Sequence, residues 1–409
     1  MLVLGARYAS LPCMMVVRSP CLPMFRAALA FCLICIGLLG PELARAEDRR
    51  VATPAELLRA LEEMPGGVIL LAPGAYGPLL IEGRHTDKLT TLRSELPRQA
   101  VFDQVSVKSS QDIAFEGLAT RGIFRIEKSA GITVTDCDAR NTLYFRDVDH
   151  LRIDNCVVLG GQFGVLFNSV TNFEIRHSRI GQVSEDVMRI TGNSSDGLIE
   201  ENFLDDVIAY PPTHPDLIQL FGAKGATPHH IIIRRNFLRD LHETGSPKRT
   251  AQGIFVSDPQ KGGYHDILIE ENVIMTRSGN TIYINGGQKN VVVRANTLLS
   301  SAGDGGAIIR LARKAQLKNS GTVVENNIAK LILDETRSSY VRSNYLYGRG
   351  AKITGIFSGT GKRWQDFLPV LGSGPDKPGM GATDFLRELL AAQKPGAKGG
   401  PRLGPDWSE

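Results

Sequence analysis

An all-β solenoid is what this sequence predicts, on three observations. A four-residue motif recurs down the chain and ends each time in Asn. Short strands rich in β-branched residues follow it in many of the coils. Glycine, 43 of 409 residues, is spread throughout, as a fold with many turns requires. The 42% hydrophobic and 22% charged content is ordinary for a folded, water-facing protein.

The motif is a β-branched residue, two polar or small positions, then Asn. It occurs at Ile199–Asn202, Ile233–Asn236, Ile269–Asn272 and Val293–Asn296, and again at Val324–Asn327 and Val341–Asn344. Upstream, the same slot holds Cys137, Cys156 and Ser178. From Cys137 the spacings are 19, 22, 24, 34, 36, 24, 31 and 17 residues, each one coil plus a loop of variable length. The second strands include Val187–Ile190, Leu217–Leu220, Gly253–Val256, Thr281–Ile284 and Ala307–Arg310. Strands this short do not make a stable sheet alone. Stacked, each coil satisfies its backbone against the next and the inward apolar residues merge into one core. The expected architecture is a right-handed parallel β-helix of about ten or eleven coils over residues 67–348. The Asn column is expected at the turns, where Asn tolerates left-handed backbone and where stacked amides bond to one another. Cys137 and Cys156 then lie on neighbouring coils, either bridged or as two buried thiols.

The ends read differently. Residues 1–46 have an apolar run from Ala27 to Gly40, Arg18 and Arg26 before it, and Ala44-Arg45-Ala46 after it. That is the layout of a cleaved secretory signal, with Met24 as an alternative start. The segment carries a net +3 of the formal +4, with four Arg against Glu42, so the mature chain is near +1. So small a net charge gives no footprint for nucleic acid. The expected setting is the periplasm or the medium, with no stable membrane insertion after cleavage. Thr53-Pro54-Ala55-Glu56 is a capping box with Pro at the first helical position. It opens a helix within residues 47–66 that should plug the first coil. Residues 349–409 are Gly/Pro-rich around a short helix at 383–393 and should wrap or cap the last coils.

These coils, their Asn turns and the LAPGAY opening at 71–76 resemble the pectate-lyase-like right-handed β-helix superfamily. The resemblance covers about Thr53 to Tyr347 and is specific for fold, since that fold hosts lyases, epimerases, hydrolases and inert adhesins. It implies a carbohydrate-active protein whose partner is an acidic, uronate-bearing polysaccharide.

Candidate chemistry gathers in the two long coils, Asn202 to Asn236 and Asn236 to Asn272. Side chains alternate along a strand. With Ile190, Leu220, Val256 and Ile284 inward, Asp186, Asp216, Gln252 and Asn280 share one column. Arg189, Gln219, Phe255 and Tyr283 share an outward one. Tyr210-Pro211-Pro212-Thr213-His214-Pro215-Asp216 resembles the Asp-Pro-His-Asp region of alginate C5-epimerases, with counterparts only for His214 and Asp216. Epimerisation and β-elimination of a uronate both begin with loss of the C5 proton. A base must take it, and a cation must neutralise the carboxylate. The candidates are His214, Asp216, Arg189, Lys248 and Tyr210 for catalysis, and Gln219, Gln252, Tyr283, Arg249 and Asp186 for substrate binding. Lys248 and Arg249 resemble the Lys/Arg pair that β-helix alginate and chondroitin lyases use with calcium, so calcium is a possible cofactor; no protein metal site is otherwise expected. Each candidate also has a plain structural reading. His214 can shape a turn, Asp216 can cap a strand, Lys248 and Arg249 can be solvated loop, and His229-His230 a turn with one residue exposed. The alternatives to a lyase or epimerase are a hydrolase using Asp186 and Asp216, and a non-catalytic polysaccharide-binding or surface protein. Trp364 and Trp407 lie beyond the last coil, so aromatic platforms look scarce.

Overall fold

Helix α1, Pro54–Glu63, begins where the sequence places it. Thr53 Oγ1 accepts from the Glu56 amide at 3.2 Å, and Glu56 Oε2 accepts from the Ala52 amide at 2.7 Å. One orphan amide of the first turn, and that of the residue before the cap, are thereby satisfied. Its apolar face, Leu57, Ala60 and Leu61, is buried in the same core as Val51, Ile69 and Leu71 of the first coils. The computed structural model describes residues 48–240, 249–258, 263–300, 306–314, 317–349, 351, 353–359, 363–394 and 400–405. The proposed signal, Lys248 and Trp407 lie outside them. Residues 46–409 form one compact unit.

Among the described residues all strand pairs are parallel, and the strands join into one 31-stranded sheet folded into three faces. One face runs through Ser195–Glu200, His229–Arg234, His265–Glu270 and Lys289–Arg294. A second carries the short strands Phe203–Val207, Phe237–Arg239, Val273–Met275 and Thr297–Leu299. The third carries Met188–Thr191, Asp216–Phe221, Gln252–Ser257, Ile282–Asn285 and Ile308–Ala312. Its register matches the alternation read from the sequence. Ile190, Leu220, Val256 and Ile284 are successive partners pointing inward, and Arg189, Gln219, Phe255 and Tyr283 are successive partners pointing outward.

Asn202, Asn236, Asn272, Asn296, Asn327 and Asn344 form one amide ladder. Each Oδ1 accepts from the backbone amide and the side-chain Nδ2 of the preceding Asn, at 2.9–3.1 Å. The left-handed backbone expected of these Asn sits one residue earlier, at Glu201, Arg235, Glu271, Ala295, Asn326 and Ser343, with φ between 51° and 57°. The Asn itself faces inward to reach its neighbours, so the strained turn falls on the residue before it. Ser178 continues the ladder upstream, its Oγ accepting from the Cys156 amide at 3.1 Å. Cys137 and Cys156 follow it on adjacent coils as free, buried thiols.

The outward charges at the end of the first face alternate. Arg176, Glu200, Arg234, Glu270, Arg294, Glu325 and Arg342 are successive register partners, with Arg234–Glu200 at 2.5 Å, Arg294–Glu270 at 2.6 Å and Arg342–Glu325 at 2.8 Å. Opposite charges directly across a strand pair stabilise it modestly. Glu200 and Glu270 are thus engaged in ion pairs. His177 makes a tighter bridge, with Nδ1 at 2.8 Å from Asp154 and Nε2 at 3.3 Å from Glu201. Its pKa is raised to about 9, chiefly by the bond to Asp154 and then by that to Glu201, with burial and Arg402 opposing. An unfolded His titrates near 6.5. The stabilisation is therefore full below about pH 6.5 and is lost as pH rises through about 9. Chemical denaturation from pH 6 to 9.5 should show wild-type stability falling more steeply than that of His177→Gln.

The described part of the C-terminal segment lies along the second face. Ile356, Phe357, Trp364, Phe367 and, from helix α2 at Thr383–Ala392, Phe385, Leu386 and Leu389 pack on Phe203, Phe237, Val273, Met275, Leu299 and Ile328. Those strand residues point outward, and the segment removes them from water.

Candidate active site

The third face carries the site. Asp186 and Asp216 occupy neighbouring coils just before their strands turn apolar, and both are fully buried. Asp186 has both oxygens engaged. Oδ1 accepts from the Asp216 amide at 2.9 Å, and Oδ2 accepts from Arg189 Nε at 2.6 Å. Arg189 also reaches Glu185 at 2.7 Å and lies 4.5 Å over the Phe163 ring. Asp216 is bound on one side only. Its Oδ2 accepts from Gln219 Nε2 at 2.7 Å and faces His214 Nδ1 at 3.5 Å, while its Oδ1 has no hydrogen-bond partner among the described residues. Burial raises the pKa of both carboxyls. At Asp186 the charge of Asp216 adds to the rise and Arg189 opposes it. At Asp216 His214 and Gln219 pull it down.

His214 reaches out of this buried acid pair. Its side chain is 59% exposed. Its pKa is raised, first by the bond to Asp216, with burial opposing. A proton on Nδ1 facing Asp216 leaves the lone pair on Nε2, where Gln252 Nε2 makes close contact. Gln252 Oε1 is buried and has no hydrogen-bond partner among the described residues. The ring sits 5.2 Å from Phe255, which stacks on Tyr283 at 4.6 Å; Arg310 lies 5.8 Å over Tyr283. Upstream on the same outward column, Arg125 lies 4.6 Å over Tyr144.

Of the sequence candidates, His214, Asp216, Arg189, Gln219, Gln252 and Asp186 are thus linked into one network, and Tyr283 joins it through Phe255. Tyr210 is 51% exposed on the segment leading to His214. Arg249 is exposed, and its amide donates to Ala209 O at 2.8 Å, beside Tyr210. Three features were not read from the sequence. Glu185 and Phe163 hold Arg189. Asp240 accepts from the Ala251 amide at 2.7 Å and so fixes the start of the strand that carries Gln252. The third is the stacking of Phe255 on Tyr283, two successive residues of the outward column. Tyr264 belongs to the core, its hydroxyl donating to the Leu220 and Ser257 carbonyls. Calcium takes six to eight oxygens. Among the described residues, the Asp216 Oδ1 and Gln252 Oε1 atoms that lack a hydrogen bond fall well short of that set and lie in the network of the Arg189 guanidinium, so no step is assigned to that ion.

A carboxylate-backed imidazole, guanidinium groups and stacked rings thus share one face of a parallel β-solenoid. The profile of the family described as right-handed β-helix region matches residues 121–328, more than half of the chain, and the chain belongs to that family. No curated protein matches the sequence. Among solved structures the chain is similar to the A-module of the Azotobacter vinelandii mannuronan C-5 epimerase, at 12% identity and TM-score 0.53, over 73% of this chain and 96% of that one. It is also similar to the Streptococcus pneumoniae surface protein and adhesin PfbA, at 13% identity and TM-score 0.50, over 73% and 93%. A third is the Dettilon tailspike protein, at 15% identity and TM-score 0.50, over 68% of this chain; the match spans 58% of the tailspike. Identities this low establish the shared fold, on which a catalyst and an adhesin are both built. Among the described residues no helix is long and apolar enough to cross a membrane.

Proposed function

We propose that this protein acts on an acidic polysaccharide by removing the C5 proton of a uronate, as a C5-epimerase or a lyase. The observation that carries this reading is the exposed His214 ring backed by the buried Asp216 carboxylate, beside a stripe of arginines and aromatic rings. His214 Nε2 takes the proton once the substrate displaces the Gln252 amide. The C5–H electron pair moves into the substrate carboxyl group as an enolate. The remaining N–H groups of Arg189, and Arg249 on the neighbouring loop, supply the positive charge that this enolate needs. Return of a proton to the opposite face of C5 gives the epimer. Departure of the C4 oxygen gives an unsaturated end and a broken chain; the hydroxyl of Tyr210 is the proposed acid in either case. The epimerase among the structural neighbours acts, by its name, on mannuronan at C5.

A hydrolase needs two carboxyl groups flanking the scissile bond. Asp186 and Asp216 lie side by side and out of reach of solvent, which weighs against that reading. The test is a panel of uronate polymers set against their carboxyl-reduced, neutral counterparts. The expected result is unsaturated ends or an altered uronate composition with the acidic polymers alone. Equal action on the neutral forms, or action on none, would remove the proposal.

A further inference from the structure

A second cluster of chemistry-bearing side chains lies on the first face, past the turn that follows Asp216–Phe221. His229 opens its strand, and its register partners on the flanking coils are Ser195 and, by alignment of the following residues, His265. His230 follows in left-handed backbone, at φ 52°. That conformation is uncommon for a residue with a Cβ, and here it leaves the ring half-exposed over its neighbours. The sequence suggested a turn. The structure instead stacks His229 on His265, with ring centroids 4.7 Å apart and 12° between planes, and sets His230 edge-on to both, at 5.0 and 5.3 Å. One ring nitrogen from each of the three lies within 4.8 Å of the others.

The geometry points to a transition-metal site formed by His229, His230 and His265, of the kind that takes zinc. Three neutral imidazoles are a donor set for Zn²⁺, Ni²⁺ or Cu²⁺ and not for calcium or magnesium. Nitrogens on one zinc sit about 2.0–2.1 Å from the metal and so roughly 3.3 Å from each other. His229 Nδ1 and His230 Nδ1 are already 2.8 Å apart, bridged by a shared proton that a cation would replace. The third ring needs only a small closing movement.

The surroundings resemble the support that metal-bound histidines have. Asp266 Oδ2 lies 2.8 Å from His265 Nδ1 and 3.4 Å from His230 Nε2, the ring nitrogens opposite those that would face the ion. A carboxylate behind the ligand fixes the tautomer and raises the basicity of the ligating nitrogen. The Asp266 carboxylate is itself held, its Oδ1 accepting from Asn290 Nδ2 at 3.1 Å. Beside the cluster is an open cavity of about 380 Å³ lined by Asn193, Thr227, His229, His265 and Lys289. Three protein ligands leave a fourth position for water or an oxygen of a bound sugar, with Lys289 near it to meet an anionic group. The site stands apart from His214 and does not depend on the proposed C5 chemistry.

Zn²⁺ titrated into the metal-free chain by calorimetry is the test, with His150→Ala as control. His150 occupies the same left-handed column several coils upstream, without a second histidine. The expected result is one ion per chain and a rise in melting temperature on adding Zn²⁺. His230→Ala and His265→Ala should each abolish both effects, Asp266→Asn should weaken binding about 10- to 100-fold, and His150→Ala should leave it intact. His230 is half-exposed, so its alanine variant should melt as the wild type does without metal. Absence of stoichiometric binding by the wild type, or affinity unchanged in His230→Ala and His265→Ala, would overturn the site.

Discussion

His214→Ala is expected to lower the rate of C5 proton removal by about 10² to 10⁴, the usual cost of losing a positioned base. Thermal stability should stay within the small range typical of surface changes, because the ring is largely exposed and lies outside the core. The pH profile gives a second, independent reading. Asp216 raises the pKa of His214, and the base form exists only above that pKa. Activity should therefore rise with pH through the raised value. Asp216→Asn removes the carboxylate, so the rising limb should move to lower pH while the plateau rate falls, since Asp216 positions the ring rather than touching substrate. A loss of less than about tenfold for His214→Ala, below the expected range, would reduce His214 to a turn residue.

Asn236→Ala, at an interior rung of the ladder, is expected to damage the scaffold severely. Asn236 Oδ1 accepts from the amide and the side chain of Asn202, and its Nδ2 donates to Asn272 and to the carbonyls of Ile199 and Arg234. Truncation strands several of these groups in a fully buried position. An unmade buried hydrogen bond costs about 1–3 kcal/mol, so the expected loss is on the order of 3–5 kcal/mol, a large part of the 5–15 kcal/mol that holds a typical domain. Asn344 is the last rung and partly exposed, so water can replace its bonds; Asn344→Ala should cost about 1 kcal/mol. Asn236→Ser should recover part of the loss, because Ser178 serves the same slot upstream. Urea denaturation of the three variants checks the order.

Much of the scaffold was legible because it repeats. A motif that recurs at one phase fixes which residues stack, and strand alternation then fixes which face inward. That is why the Asn ladder, the α1 cap and the columns through Asp216 and Gln219 could be read in advance. What escaped notice depends on contacts between coils rather than within them. His265 meets His229 and His230 across coils, and a loop of uneven length separates them in the chain. The left-handed turn moved off Asn because one side chain cannot both sit at the strained position and face inward to the ladder. The C-terminal segment covers the second face because Phe203, Phe237 and Met275 point outward there, a fact visible only once those short strands have a register. Of the Lys248–Arg249 pair only Arg249 is among the described residues, and it lies beside Tyr210 rather than in the buried network.

The central claim is that this face removes a proton from C5 of a uronate. Incubation of the protein with uronate polymers in deuterium oxide, followed by mass and nuclear magnetic resonance analysis of the recovered sugars, tests it most directly. The predicted result is deuterium at C5 of an epimerised residue, or chain cleavage with loss of the C5 hydrogen, in both cases abolished by His214→Ala. Polymer that is bound yet recovered with its C5 hydrogen and chain length intact would contradict the account and leave a polysaccharide-binding surface in its place.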